Sequence, residues 1–573
     1  MPELQLDLSR PQSQRLAVRI ALVPRLRTMI LALPRWTPGS YLLREYVGHL
    51  EGLRANQNGS DLVLKRRSPF AWQLEGLEPD QPLELSYALQ ATELTVRTCH
   101  LNADHGFLAL AAVVLELEGE RWAPHRLQLL LPHGWQGFVP LPRQADGSWL
   151  AADFDQLIDA PVEAGPHPCH HFEVAGVPHR WVSWGGDLPA EDANWLADVN
   201  RVAQACCRLM GVSEPAASDY LFVLHLSEQG YGGLEHDAST VLQFGRRTLR
   251  KPEGRRRLLQ LVAHEYLHQW NVRRLRPAEL APIDYHQAVV VPTLWFAEGV
   301  TSYVDQLLPH AAGCCDAADV LADLGADLSR YKQAKGRFVQ SLQASSEEAW
   351  VKLYRPHPHA PNQQVSYYLK GAVLALVLDL HLRGHGSWIG AVLQQLWRSH
   401  GACRRGYQQA DLLAAFAAHA PDLADLLPQW LASTDDPPLE AMLTTVGLKL
   451  VPVNASHPSI GAQLEARAAA GVWVARIERD GPAQQAGLEV GDELLALDGE
   501  RVRSLDDWTL LLGDRCQAEP QRRRDLLICR DGVLRSLVVH AQAPGIERWQ
   551  LEVDPDAPAA AADRRQAWLL LQP

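Results

Sequence analysis

The sequence predicts a multidomain α+β protein, on three observations. Its 573 residues exceed what one hydrophobic core organises. Near residue 170 the apolar pattern changes from short alternating runs to long helical ones. Near residue 446 short runs broken by Gly return. The boundaries that follow are 1–168 for a β-sandwich-like domain, 169–445 for a mainly α domain, 446–545 for a small mixed module and 546–573 for a C-terminal tail. An apolar content of 47% with 21% charged residues is that of a folded chain, so all four assignments are made against a globular background.

In the first domain RLAVRIALV, TMILALP, LVLKRRS, LELSYALQA, FLALAAVVLELEG and HRLQLLLP alternate in part and are broken by Pro and Gly, which predicts strands. In the second, AEDANWLADVNRVAQACCRLMG has helical period and stops at a Gly. YLFVLHL predicts a strand. GRRRLLQLVAHEYLHQWNV, LWFAEGVTSYVDQLL, DAADVLADLGADLSRYKQ, YYLKGAVLALVLDLHLRG and QQADLLAAFAAHA predict helices. The closing VDPDAPAAAADRRQAW is rich in Pro and Ala and predicts a loosely held tail.

A formal net charge of -13 argues against nucleic acid as a partner, because phosphate binding wants a basic face. The N-terminus has no basic stretch leading into an apolar one, so no secretory signal is expected. No apolar run approaches the ~18 residues of a membrane helix. The nine cysteines include two adjacent pairs rather than a spaced framework, which predicts reduced thiols in a cytoplasmic protein. HPCHHF (167–172) matches no standard zinc spacing and predicts a loop or linker.

The chemistry starts at HEYLHQWN (264–271). On a helix, residues four apart share a face, so His264 and His268 can present two imidazoles to one metal ion. Glu265 lies about 100° around the axis and is placed to take a proton from a metal-activated water rather than to ligate. The motif alone arises by chance in roughly one such sequence in twenty. A catalytic zinc also needs a third protein ligand. Glu298, among Leu294, Trp295 and Phe296, offers one; the alternative is a helix-surface acid. GYGGLEHDAST brings Gly232 and Gly233 up to Glu235 and His236, a place for a substrate's α-amino group or simply a loop between strands. Tyr367 and Tyr368 open an apolar helix, where a phenol can steady an oxyanion or merely pack.

GGLEH, HEYLHQWN, LWFAEGVTSYV and SYYLKG, in that order, together with PRWTPGSYLLREY (34–46), resemble the glycyl aminopeptidase family of gluzincin zinc metallopeptidases that carry a C-terminal PDZ domain. The resemblance covers roughly residues 20–545. It implies a thermolysin-like catalytic domain with one zinc ion held by His264, His268 and Glu298, Glu265 as general base, Glu235 with Gly232, Gly233 and His236 at the substrate's amine, and Tyr368 rather than Tyr367 as the transition-state phenol. Two departures stand out. The gap from His268 to Glu298 holds 29 residues, longer than in aminopeptidase N-like relatives, and Leu234-Glu235-His236 replaces their M-E-N.

GVWVARIERDGPAQQAGLEVGDELLALDGERVRSLDDWTLLL (471–512) resembles a PDZ domain of the bacterial permuted type. SIGAQLE then occupies the place of the carboxylate-binding loop, with Ile460, Gly461 and Ala462 offering N–H groups to a peptide C-terminus, or else the groove is filled by the chain itself. The expected function is a zinc aminopeptidase acting on peptides with a free N-terminus, with small first residues such as Gly or Ala implied by the resemblance. The alternatives are a zinc endopeptidase that captures substrates through the PDZ domain, and a PDZ-mediated binding protein with an inactive peptidase core. Neither nucleic acid nor membrane is expected as a partner.

Overall fold

Alternating burial along Arg15–Leu22 shows why RLAVRIAL is a strand: every second side chain enters a core and the others face solvent. The computed structural model describes residues 1–467, 471–519 and 522–573. The chain forms two compact units. One comprises 1–291, 307–315 and 390–412, the other 292–306, 316–389 and 413–573.

In the first unit, Arg15–Leu22 lies inside a seven-stranded sheet, between Glu3–Asp7 and Leu83–Gln90. Two four-stranded sheets complete the β-rich N-terminal part. FLALAAVVLELEG, expected as one strand, is two short ones (Gly106–Leu108 and Glu116–Leu117) separated by a 3-10 turn at Leu110–Ala112. Its apolar residues are buried on all sides and leave no face to alternate against.

A second, five-stranded sheet runs in the order Cys169–Val174, Val177–Trp184, Tyr220–Ser227, Ser239–Gly245, Tyr231–Glu235. Its middle strands pair in parallel, and the almost fully buried YLFVLHLS strand is the apolar centre. Tyr231–Glu235 turns back antiparallel and is the edge strand. The helices Trp195–Met210 and Gly254–Leu267 belong to this unit as well. Gly211 ends the first of them in the left-handed conformation the sequence asks of a Gly there.

HPCHHF is not a linker. Cys169–Val174 is a strand of the second sheet, and the His167 ring is buried against Glu163. Glu163 accepts three N–H bonds, from His105 Nδ1 at 3.1 Å, His167 Nε2 at 3.0 Å and His225 Nε2 at 2.9 Å. His105 and His225 come from segments about 60 residues to either side, so local spacing could not reveal the cluster.

In the second unit, Glu298 lies in a π-helical turn, Trp295–Val300, that runs into the helix Thr301–Ala311. The helix Tyr367–Gly384 is buried on most sides, as its apolar sequence predicts. The PDZ region is a sheet in the order Ala462–Ala466, Val472–Ile477, Glu493–Leu497, Arg524–Arg530, Val533–Val539, with the helix Leu505–Ala518 beside it. Val472, Val474, Leu494, Leu497, Leu526 and Ile528 form its core.

The closing segment is not a loose tail. Ile546–Val553 pairs antiparallel with Leu448–Asn454, and Ala559–Leu569 is a helix. Trp568 is fully buried there, and its Nε1–H donates to the Tyr303 hydroxyl at 2.6 Å. That hydroxyl donates in turn to Asp379 Oδ2 at 2.7 Å. The Ala-rich run reads as low complexity, but Trp568 with its satisfied N–H, buried Ala561 and Leu569, and the bonds of Arg564 and Arg565 to the 445–447 carbonyls hold it.

Candidate active site

The helix Gly254–Leu267 ends on the motif, with His268 as its C-cap residue. The His264 and His268 rings stand edge to face with centroids 4.6 Å apart, the shared-face geometry of residues four apart. His268 is buried and His264 partly so. The His268 Nδ1–H donates to the Asn271 carbonyl at 2.5 Å, which puts the ring's lone pair on Nε2. Such a backbone bond on the second ring nitrogen is what fixes a metal-binding histidine in its tautomer and orientation. His268 therefore fits a zinc ion by donor chemistry and by tautomer, and His264 by donor chemistry.

Glu265 is buried on the same helix, under the edge strand. A β-carbon at Gly233 would overlap the Glu265 carboxylate, so the strand's close approach requires Gly there. Open space surrounds the Gly232 position. The two glycines thus differ: Gly233 seats the strand on Glu265, while Gly232 leaves its face uncovered. Gly233 also accepts a bond from Arg97 Nη2 at 3.2 Å, which fixes the strand from its other side.

Glu235 closes this strand. Ligand atoms of Glu235, Glu265 and His268 lie within 4.8 Å of one another, all buried. Two buried carboxylates so close repel unless a cation comes between them. Glu235 Oε1 has no hydrogen-bond partner among the described residues, though it is shut off from solvent. The turn Thr37–Ser40 backs it: Gly39 has φ +82°, and a β-carbon there would overlap the Glu235 carboxylate. PRWTPGSYLLREY therefore contributes to this site through a glycine.

His236 turns the other way. Its Nδ1 bonds Asp159 Oδ1 at 3.1 Å. The same oxygen takes Arg273 Nη2 at 2.6 Å, and Arg273 Nε bonds Asp237 Oδ1 at 2.9 Å. Arg404 adds a further ion pair to Asp237 at 2.9 Å. Burial and then these arginines act on Asp237; the cations win and hold its carboxyl well below the usual range. Burial lowers Arg274 to about 10. The residue-by-residue reading missed this network; its signal was NVRRLRP, three arginines directly after the histidine helix.

Glu298 is buried in the other unit. π-helical turns widen a helix locally and are frequent at functional positions. Gly299 and Gly371 let two backbones touch: a β-carbon on Gly299 would fall 2.6 Å from the Gly371 Cα. The glycines of EGV and KGA thereby hold the Glu298 turn against the helix that carries Tyr367 and Tyr368. Ser366 caps that helix, its Oγ accepting from Tyr368 N–H at 3.2 Å and Leu369 N–H at 3.4 Å. Tyr367 is fully buried, whereas Tyr368 is partly exposed with its hydroxyl 3.1 Å from that of Tyr354. Burial, and then the charge of Glu298, pushes the Tyr368 phenol well above its ordinary value, so it is a proton-bearing donor at neutral pH.

His105, Glu163 and His167 also bring ligand atoms within 4.8 Å of one another. A metal on His105 Nδ1 would place its proton on Nε2, which has no partner among the described residues. Imidazole N–H groups that donate to Glu163 avoid that cost, and the cluster is a hydrogen-bond hub.

In the PDZ region the Ile460–Ala462 loop is closely bonded to its own surroundings. Gly461 N–H donates to Ser459 Oγ at 2.9 Å. The Gly461 and Ile460 carbonyls accept from Glu478 at 2.8 Å and Ala483 at 2.7 Å. The Ala462–Ala466 strand is an edge of its sheet.

A family model for M61 glycyl aminopeptidase matches residues 257–374, and one for the peptidase M61 N-terminal domain matches 3–166. Models of this one family thus match both the N-terminal and the catalytic stretch of the chain. A PDZ domain model matches residues 473–515. The chain is similar over its whole length to an aminopeptidase N family protein from Idiomarina loihiensis. Identity is 28%, coverage is 99% of this chain and 100% of the other, and the TM-score is 0.91. An M1 zinc metallopeptidase from Deinococcus radiodurans is more distant, at 16% identity, 76% and 94% coverage and a TM-score of 0.48. Aminopeptidase A from Legionella pneumophila, solved with aspartic acid, gives 12% identity, 95% and 57% coverage and 0.48. No curated protein matches the sequence. The matched models and the full-length structural likeness together make the chain a gluzincin-type zinc metallopeptidase of the aminopeptidase kind.

Proposed function

We propose that this M61 enzyme removes the first residue from peptides with a free amine, with small residues such as Gly or Ala preferred. The observation that carries the reading is the buried pair Glu235 and Glu265 beside His268, with Glu235 Oε1 lacking a partner among the described residues. An ammonium group brings positive charge and three N–H donors to the Glu235 carboxylate.

By motif order, His264, His268 and Glu298 hold one zinc ion. An ion held there would supply Lewis-acid chemistry for the scissile carbonyl and the attacking water. Glu265 takes the water's proton and returns it to the leaving amine. Tyr368 donates a hydrogen bond to the carbonyl oxygen as negative charge grows on it. The open side of Tyr231–Glu235 supports an extended peptide backbone, and Glu235 with the Gly39 turn ends the cleft at the amine. Closure by that turn favours an exopeptidase over an open-cleft endopeptidase. PDZ capture of a peptide C-terminus at Ile460–Ala462 requires the carboxylate to displace the Ser459 bond to Gly461. The adjacent pairs Cys206-Cys207 and Cys314-Cys315, which suit reduced thiols, are the ground for proposing a cytoplasmic setting. No helix among the described residues is long and apolar enough to cross a membrane.

The test is mass spectrometry of one Ala-initiated peptide, free and N-acetylated, with and without a zinc chelator. Chelator-sensitive loss of the first residue from the free peptide alone is expected. Internal cuts in both peptides would make the enzyme an endopeptidase and remove the role given to Glu235.

A further inference from the structure

The short helix Ala360–Gln363 carries Asn362, whose carboxamide is buried. Its Nδ2–H donates to the Ile477 carbonyl at 2.6 Å, and its Oδ1 accepts from the Arg479 N–H at 3.1 Å. Both polar ends of one side chain are thus bonded to the backbone of the PDZ region. On that side, the intervening Glu478 N–H donates to the Gly461 carbonyl at 2.8 Å, and Ile477 pairs with Ala462.

Six residues after Asn362 comes Tyr368, and the chain between them has little slack. The backbone of Gln364 lies so close to Gly336 that a β-carbon there would overlap it. Val365 N–H donates to Gln340 Oε1 at 2.9 Å, and the Val365 carbonyl accepts from Ser345 Oγ at 2.5 Å. Ser366 then caps the helix through the N–H of Tyr368 itself. With Gln364, Val365 and Ser366 each held in place, a shift at Ile477–Arg479 is passed on along the chain rather than absorbed.

We propose that Asn362 is a positioning residue for Tyr368, through which the PDZ module sets where the phenol stands during the reaction. The module then acts as a brace of the catalytic apparatus in addition to any peptide it captures. This rests on the reading of Tyr368 as the phenol that steadies the carbonyl oxygen.

The experiment is a double-mutant cycle in the full-length zinc enzyme, with alanine p-nitroanilide as substrate. Asn362→Ala is expected to lower kcat about tenfold with KM changed less than twofold and zinc content unchanged. In a Tyr368→Phe background the same substitution is expected to change kcat less than twofold, because the group it positions is gone. Equal losses in both backgrounds would overturn the proposal, as would an unchanged kcat in Asn362→Ala. Failure of the underlying reading is recognised separately: Tyr368→Phe alone would then keep full turnover, and the proposal would fall with it. Asn362→Asp keeps the acceptor for Arg479 and loses the donor to Ile477, so the cycle can be repeated if the alanine variant does not fold.

Discussion

Glu163 and Glu235 sit on strands of the same unit, both buried and both within reach of histidine nitrogens. Glu163 is satisfied by the chain itself, with three imidazole N–H groups on its two oxygens. Its carboxyl is held far below the usual range by those histidines, which overcome the effect of burial. Glu235 is set beside a second carboxylate, and one of its oxygens lacks a partner among the described residues. A buried carboxylate completed by the chain's own donors belongs to stability, while one left with a bare oxygen waits for a ligand. The two clusters are made of the same residue types, so composition could not have told them apart.

That contrast can be broken by substitution. Glu265→Gln, beside the incomplete cluster, is expected to lower kcat by about a thousandfold with zinc retained, as metal analysis and turnover would show. Full activity in that variant would remove Glu265 from the chemistry. Glu235→Gln is expected to cut kcat/KM about a hundredfold for free-amine peptides while the small rate on acetylated ones hardly moves. Competition between the two peptides measures it. In the complete cluster, Glu163→Gln is expected to cost ~2–3 kcal/mol of stability in urea titration, with turnover per folded molecule unchanged. A turnover loss without a stability loss would reverse the assignment of the two clusters.

The smallest effects sharpen the comparison. The lowered carboxyl of Glu163 contributes stability that is present above the ordinary carboxylate range and lost as pH falls through it. His105, whose pKa burial lowers, adds to the decline already below the ordinary imidazole range, because the unfolded chain takes a proton that the folded one refuses. The urea midpoint is therefore expected to fall once pH drops below the ordinary imidazole range and to fall further below the ordinary carboxylate range, and a flat profile would contradict the bonding given to the hub. Gly39→Ala is expected to cost ~1–2 kcal/mol from its left-handed backbone and to raise KM by displacing Glu235. Thermal unfolding and peptide kinetics on one preparation separate the two parts.

Helices were the legible part of this fold. The period of AEDANWLADVNRVAQACCRLMG and its terminal Gly gave that helix and its C-terminal end, though the helix starts only at Trp195, and HEYLH placed two imidazoles on one face without any tertiary information. Legibility ended where a residue's partner is remote in sequence. His167 looks like part of a linker until Glu163 and His225 are seen around it. Gly233 reads as freedom to approach a substrate, yet what it approaches is Glu265. The turn at Gly39 lies almost 200 residues before the carboxylate it backs. The closing helix was hidden by its alanines, because one buried Trp568 carries little weight in a composition.

The strand pair Leu448–Asn454 and Ile546–Val553 has a consequence for engineering. Asn454 lies opposite Ile546, and the Ala455 N–H donates to the Gly545 carbonyl at 2.8 Å, so the chain leaves for the PDZ region and returns from it at adjacent points. The ninety or so residues between them form a cassette spliced into a hairpin. A short turn joining the two strands would excise the cassette and leave the closing helix on its own anchor. An enzyme so shortened would keep every residue given a chemical role while losing the clasp at Asn362, and grafting a foreign PDZ domain onto the same two ends would offer a way to hand that clasp a new controller.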